Sequence, residues 1–160
     1  MTVRLRSGSE LDDDAVVLIH MGAGDPANIA RGAVTNYSAY VGLKSASSGL
    51  FAISVFAAAD DVTESDITSA FGHKQFGRAT YGAVRRAGFE VLPTTIELFG
   101  MTPAVMALQR VHYDIVLHVG YDLPELPDDE PALADLEGVV AGAVASVMDL
   151  FLPRERKPSG

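Results

Sequence analysis

The chain has 160 residues, with 21 acidic side chains against 12 Lys and Arg, and it has no Cys and no Trp. That length suits one domain with a real core, and a hydrophobic fraction of 48% excludes a wholly disordered chain. The lack of Cys excludes a disulfide scaffold and a thiolate-held metal or iron–sulfur centre. A net charge of −9 argues against nucleic acid as a partner, because phosphate binding draws on a basic surface.

The acidity is local. Seven acids lie between Asp122 and Glu137 with no base among them, so the rest of the chain is nearly neutral. Conversely, Lys74, Arg78, Arg85 and Arg86 form a stretch without acids, readable as an anion contact or as a solvated helix face. The first 25 residues carry Arg4, Arg6, Glu10 and Asp12 to Asp14 but no apolar run of a signal peptide. The longest uncharged apolar stretches, 50–59 and 138–148, fall short of the ~20 residues of a spanning helix. The expectation is a cytoplasmic protein without membrane contact.

In chain order, residues 3–6 predict a short edge strand and the polar residues 7–14 a turn. Residues 15–21 are apolar and β-branched and end at Gly22, which predicts a buried strand. Asp25-Pro26 pairs an N-cap with a proline suited to the first helical position. Gly32 limits that helix to a short one, and residues 36–43 fit helix or strand. Residues 45–49 read as a loop, and 50–58 as an apolar strand buried on both faces. Thr63-Glu64-Ser65-Asp66 is a capping box opening a helix to about Phe71. Phe76, Ala79, Thr80, Ala83, Val84 and Ala87 recur at helical spacing, with Gly88 as C-cap. Residues 89–95 predict a strand, and Pro93, which cannot donate to a ladder, points to an edge or a strand end. Thr102-Pro103 starts a short helix.

Residues 110–119 alternate strictly. Val111, Tyr113, Ile115, Leu117 and Val119 form an apolar face, while Arg110, His112, Asp114, Val116 and His118 form a face expected to point outward. Residues 123–131 read as an extended acidic connector, 132–152 as a long helix and 153–160 as a mobile tail. Alternation of strands and helices predicts one α/β domain over residues 1–152. Its sheet is expected to be mixed, with about four to five strands, a crossover and flanking helices; a two-layer α+β arrangement is the alternative.

Three places suggest chemistry. Gly22, Gly24 and Ala27 follow a strand and open a helix, the spacing of a dinucleotide turn, where glycines let the backbone approach a pyrophosphate. Asp25 in the same turn opposes an anion and fits a simple cap. His112 and Asp114 lie two residues apart on one strand face, so the carboxylate could orient a histidine acting as general base. With His20 or His118 the same groups could approach a metal, but His118 lies too far along a straight strand, and no metal site is expected. On the last helix Gly138, Gly142 and Ser146 recur every four residues, a stripe that either packs on the protein's own sheet or forms a homo-oligomer contact. No G-x-S-x-G frames Ser45, Ser47 or Ser48, and no P-loop precedes Lys44.

His20 at a strand end, then Ile29-x-x-Gly32 and Tyr37 and Tyr40, resembles the opening of ADP-ribosyltransferase-type domains over about 25 residues. The resemblance implies NAD as cofactor, His20 holding the nicotinamide ribose, and Tyr37 or Tyr40 stacking on the nicotinamide. It also implies an acid from Glu90, Glu97 or Asp114. The expectation is therefore an enzyme binding a nucleotide-like or small anionic ligand at residues 22–27. Its catalytic residues would be His20 and Asp114, and Gly22, Gly24, Tyr37, Tyr40 and Arg78 would line the site. The alternative is a non-catalytic assembly subunit using the C-terminal helix.

Overall fold

A computed structural model describes residues 1–5, 8–41, 51–59, 61–71, 75–94, 102–117, 119, 128–151 and 155–156, with backbone only for 36–41 and 155–156. Strand β1 (Thr2–Arg4) pairs antiparallel with β2 (Glu10–Asp12), so the segment expected to be only a turn contributes half of a small hairpin. The main sheet contains β3 (Val17–Met21), β4 (Ala52–Ala58), β5 (Gln75–Thr80), β6 (Glu90–Pro93), β7 (His112–Val116) and the two-residue β8 (Glu155–Arg156). Their order is β6-β7-β4-β3-β5-β8. The chain is thus a single α/β domain with five principal strands. The sheet is not mixed: every described pairing is antiparallel. β3 and β4, and β6 and β7, are neighbours in both chain and sheet, whereas β4→β5 passes over β3 and β5→β6 crosses to the other edge, so the expected crossover is present although every described neighbour is antiparallel. Glu155–Arg156, expected in a free tail, pairs with Gln75–Phe76.

Pleating divides the sheet into two faces. The first carries Leu18, Ile53, Val55, Ala57, Ala79, Tyr113 and Ile115. It packs under α1 (Pro26–Val41), α3 (Tyr81–Arg86) and α5 (Glu130–Met148). The second carries Ile19, Phe56, Ala58 and Phe76, covered by α2 (Glu64–Ser69) and by Leu108 and Val111, which follow α4 (Pro103–Met106).

α1 runs straight through Gly32, where a stop was expected. A helical glycine costs about 1 kcal/mol relative to Ala, and burial of Ala30, Ala33 and Val34 against the sheet and α5 outweighs it. The periodic segment from Phe76 is strand up to Thr80 and helix only afterwards. Ala79 and Phe76 satisfy alternation as well as a 3.6-residue period, and pairing with β3 decides between them. Thr80 ends the strand and caps α3, its hydroxyl accepting from Ala83 N at 3.0 Å. The box at α2 forms in full: Asp66 N donates to Thr63 Oγ1 and Thr63 N to Asp66 Oδ2. Pro93 ends β6 at the sheet edge, since among the described residues β6 pairs only with β7.

α5 is long and apolar enough to cross a bilayer by length and composition. Its Leu136, Val140, Val144 and Val147 stripe is nevertheless buried in the first-face core. The stripe of Gly138 and Gly142 is not on that side: a Cβ added at either would meet nothing within 4 Å, so packing onto the sheet is not its role.

Lys74 lies outside the described residues, and the three arginines of the basic stretch do not form one anion site. Arg78 pairs with Glu64 at 3.4 Å, Arg85 lies over the Tyr81 ring, and Arg86 binds Asp14 at 2.9 Å. The Arg86 hydrogen bond, assisted by Thr80, holds the Asp14 carboxyl below its ordinary range. A carboxyl depressed on folding stabilises the fold above its unfolded pKa and stops doing so as pH falls through the folded value. Asp14→Asn should therefore lower the urea midpoint at pH 7, and the gap should close as pH falls below the usual carboxylate range; a gap unchanged at pH 2 would contradict this bridge.

Candidate functional site

The expected catalytic pair does not assemble. His20 shares its strand parity with Leu18, so it points to the first face, where it is buried with its ring edge-on to Phe151. Asp114 alternates with Tyr113 and Ile115 and points to the second face. One strand, β4, separates β3 from β7 in the sheet. The two side chains thus stand on opposite sides of a closed backbone layer. Gly22 does adopt φ 95°, the left-handed conformation the turn requires, and its N–H donates to Gln75 O. The start of α1 is already occupied, however: the Asp25 carboxylate accepts from Ala27 N at 3.4 Å. Arg78 lies on the second face, engaged by Glu64. Glu90 is exposed on edge strand β6. The side chains of Tyr37 and Tyr40, and residues Glu97 and His118, lie outside what is described. Among the described residues, then, His20, buried against Phe151, and Asp114, on the opposite face, do not come together.

A different cluster forms on the second face, around the half of the polar pair that was expected to face outward. His112 is 1% exposed and Asp114 3%. β4 and β6 flank β7 within the sheet, the first-face core covers Tyr113 and Ile115, and on the second face the Phe56 ring lies edge-on to His112 with centroids 5.3 Å apart. Burying an imidazole without partners is costly, and here each ring nitrogen has one. Nδ1 lies 2.8 Å from Thr94 Oγ1 and 3.2 Å from Thr94 O. Nε2 lies 2.6 Å from Ser54 Oγ. A carbonyl oxygen only accepts, so the network assigns the neutral ring's proton to Nδ1 and leaves Nε2 to accept from the Ser54 hydroxyl.

Three adjacent strands position these groups. Register places Ser54 opposite Asp114 and Phe56 opposite His112 between β4 and β7. Thr94, just past β6, donates its N–H to His112 O at 3.2 Å, which brings its side chain beside the ring. Asp114 Oδ1 stands 4.0 Å from His112 Nε2, and Asp114 Oδ2 is sealed from solvent with no hydrogen-bond partner among the described residues. Ser54 is the exposed member of the cluster. The β3–β4 ladder stops at Ile19–Phe56, two residues short of it, so the sheet surface at Ser54 is open where that at Phe56 is covered.

Sequence reasoning named His112 and Asp114 but missed Ser54 and Thr94. Ser54 carried a signal: it is the one polar residue in the apolar run 51–59. Chemically the arrangement is a hydroxyl on an open surface, a buried base touching it, and a third group holding the base's other nitrogen. The three carboxylates Asp12, Asp13 and Asp14 also lie close together, but Asp14 is committed to Arg86 and Thr80.

No protein family, curated protein or solved structure matches the chain.

Thr94→Val should destabilise the fold by about 1 kcal/mol, the net worth of a hydrogen bond, measured as a lower urea midpoint at unchanged slope. No loss would mean that the hydroxyl does not hold the ring.

Proposed function

We propose that this protein is an enzyme that transfers or hydrolyses acyl groups, with Ser54 as nucleophile and His112 as general base. The observation that carries this is the 2.6 Å contact between an exposed serine hydroxyl and the Nε2 of a buried, oriented histidine. In the forward step Ser54 Oγ attacks a carbonyl carbon while its proton moves to Nε2. The C–O bond to the leaving group then breaks, and Nε2 returns that proton to it. Thr94 keeps Nδ1 hydrogen-bonded as the ring becomes positive, which fixes its orientation through both transfers. The sequence led to the expectation of an enzyme binding a nucleotide-like or small anionic ligand with NAD-using chemistry, and the acyl-transfer reading departs from it. The site is different, because Ser54 and His112 meet and His20 and Asp114 do not. Cytoplasmic location remains part of this proposal.

A fluorophosphonate probe reacts only with activated serines and tests the assignment directly. Ser54 should be the labelled residue by peptide mass spectrometry. Ser54→Ala should abolish labelling, and His112→Gln should slow it about 10²–10⁴-fold while retaining the wild-type circular dichroism. Label spread evenly over the serines would sink the assignment.

A second reading is self-association through α5. Its support is that Gly138 and Gly142 face open space and Val139 between them is 45% exposed. Light scattering after size exclusion should then show a dimer in the wild type and a monomer in Val139→Glu; a wild-type monomer at high concentration removes this reading.

A further inference from the structure

We propose that the acyl group this enzyme accepts is uncharged and apolar, and that it lies across the end of β3 with its carbonyl oxygen on the backbone N–H of Ser54. The inference rests on the assignment of Ser54 as nucleophile.

Leu117 N donates to Phe51 O at 2.8 Å, which fixes the bonding phase of the β4–β7 ladder. Successive residues of a strand turn their backbone groups to alternate sides. Phe51, Ile53 and Val55 therefore turn theirs to β7, and Ser54 and Phe56 turn theirs to β3. Phe56 meets Ile19 in the last pair of the β3–β4 ladder. Ser54 is the next residue to face β3, and its N–H has no hydrogen-bond partner among the described residues. A free donor thus sits on one flank of the exposed hydroxyl. The His112 base, carried by β7, sits on the other.

Continued past Ile19–Phe56, the register brings Met21 to the position across from Ser54. Met21 shares the second face with Ile19, is only half-buried and packs against the apolar cluster of that face. Phe76 stands beyond it, opposite Met21 in the β3–β5 ladder. The next cation on β5, Arg78, is engaged by Glu64, so nothing here calls for a negative charge on the acyl group. When Ser54 Oγ bonds to the carbonyl carbon, the π electron pair moves onto the carbonyl oxygen. The Ser54 N–H donates to that oxyanion until the pair returns and the leaving group departs. The remainder of the acyl chain runs over Met21, where removing its methylenes from water strengthens binding.

The full chain assayed with the p-nitrophenyl esters of acetate, butyrate and hexanoate tests the subsite. The value of kcat/KM should rise with chain length, by up to about fourfold per methylene. The p-nitrophenyl monoester of succinate, which carries a charge, should react no faster than the acetate. Met21→Ser should lower the hexanoate-to-acetate ratio, and Met21→Leu should keep it, which guards against a folding effect. By NMR, the Ser54 amide should exchange with solvent faster than those of Ile53 and Val55. A hexyl trifluoromethyl ketone, which forms a tetrahedral adduct on a reactive serine, should move the Ser54 amide proton downfield. A flat chain-length series, a preference for the succinate ester, equal loss on all esters in Met21→Ser, or a Ser54 amide as protected as its neighbours overturns the subsite. Fluorophosphonate labelling of Ser54 would survive any of those results. If Ser54 takes no fluorophosphonate, both assignments fall together.

Discussion

Everything in this fold depends on the pairing of β4 with β7. Five residue pairs, from Ala52–Val116 to Phe56–His112, join two strands in the middle of the sheet, buried on both faces except at Ser54 and at the Ala52–Val116 end. One set of alternate side chains, Ile53, Val55, Tyr113 and Ile115, fills the core beneath α1 and α5. The other set mixes an aromatic ring with Ser54, His112 and Asp114. Without the apolar side the pair would have nothing to hold it in place.

The polar set is a liability that the structure only partly offsets. His112 is fully partnered by Thr94 and Ser54 and edged by Phe56, so its burial is compensated by hydrogen bonds. Asp114 is not compensated to the same degree, because one of its oxygens has no partner. An apolar residue there would suit an interior strand better, and local conflicts of this kind concentrate at functional sites. The first face shows no such conflict at His20, whose ring packs on Phe151 as part of the core.

Elements with a strong local signal were legible in advance. The capping box at Thr63, the edge position of the Pro93 strand, the apolar strand 50–58 and the long last helix all follow from side chains within a few residues of one another. The failures share a cause. Residues 76–80 satisfy two periods at once, and β3 alone decides that they are extended. Gly32 weakens a helix locally, but α5 and the sheet supply a burial that no local rule contains. The face of β7 bearing His112 looked like a surface because polar residues usually face water, and it is residues distant in the chain, Phe56 and Thr94 among them, that close over it.

The sequence by itself determined that this is one α/β domain, which segments are apolar strands, and that His112 and Asp114 share a strand face. Those are consequences of composition and of the two-residue pleat, which every strand obeys. The tertiary structure alone decided that His20 belongs to the opposite face from Asp114, and that Ser54, 58 residues from His112 in the chain, supplies its nearest hydroxyl. Strand order and register create those contacts, and both arise from long-range pairing that no local spacing encodes.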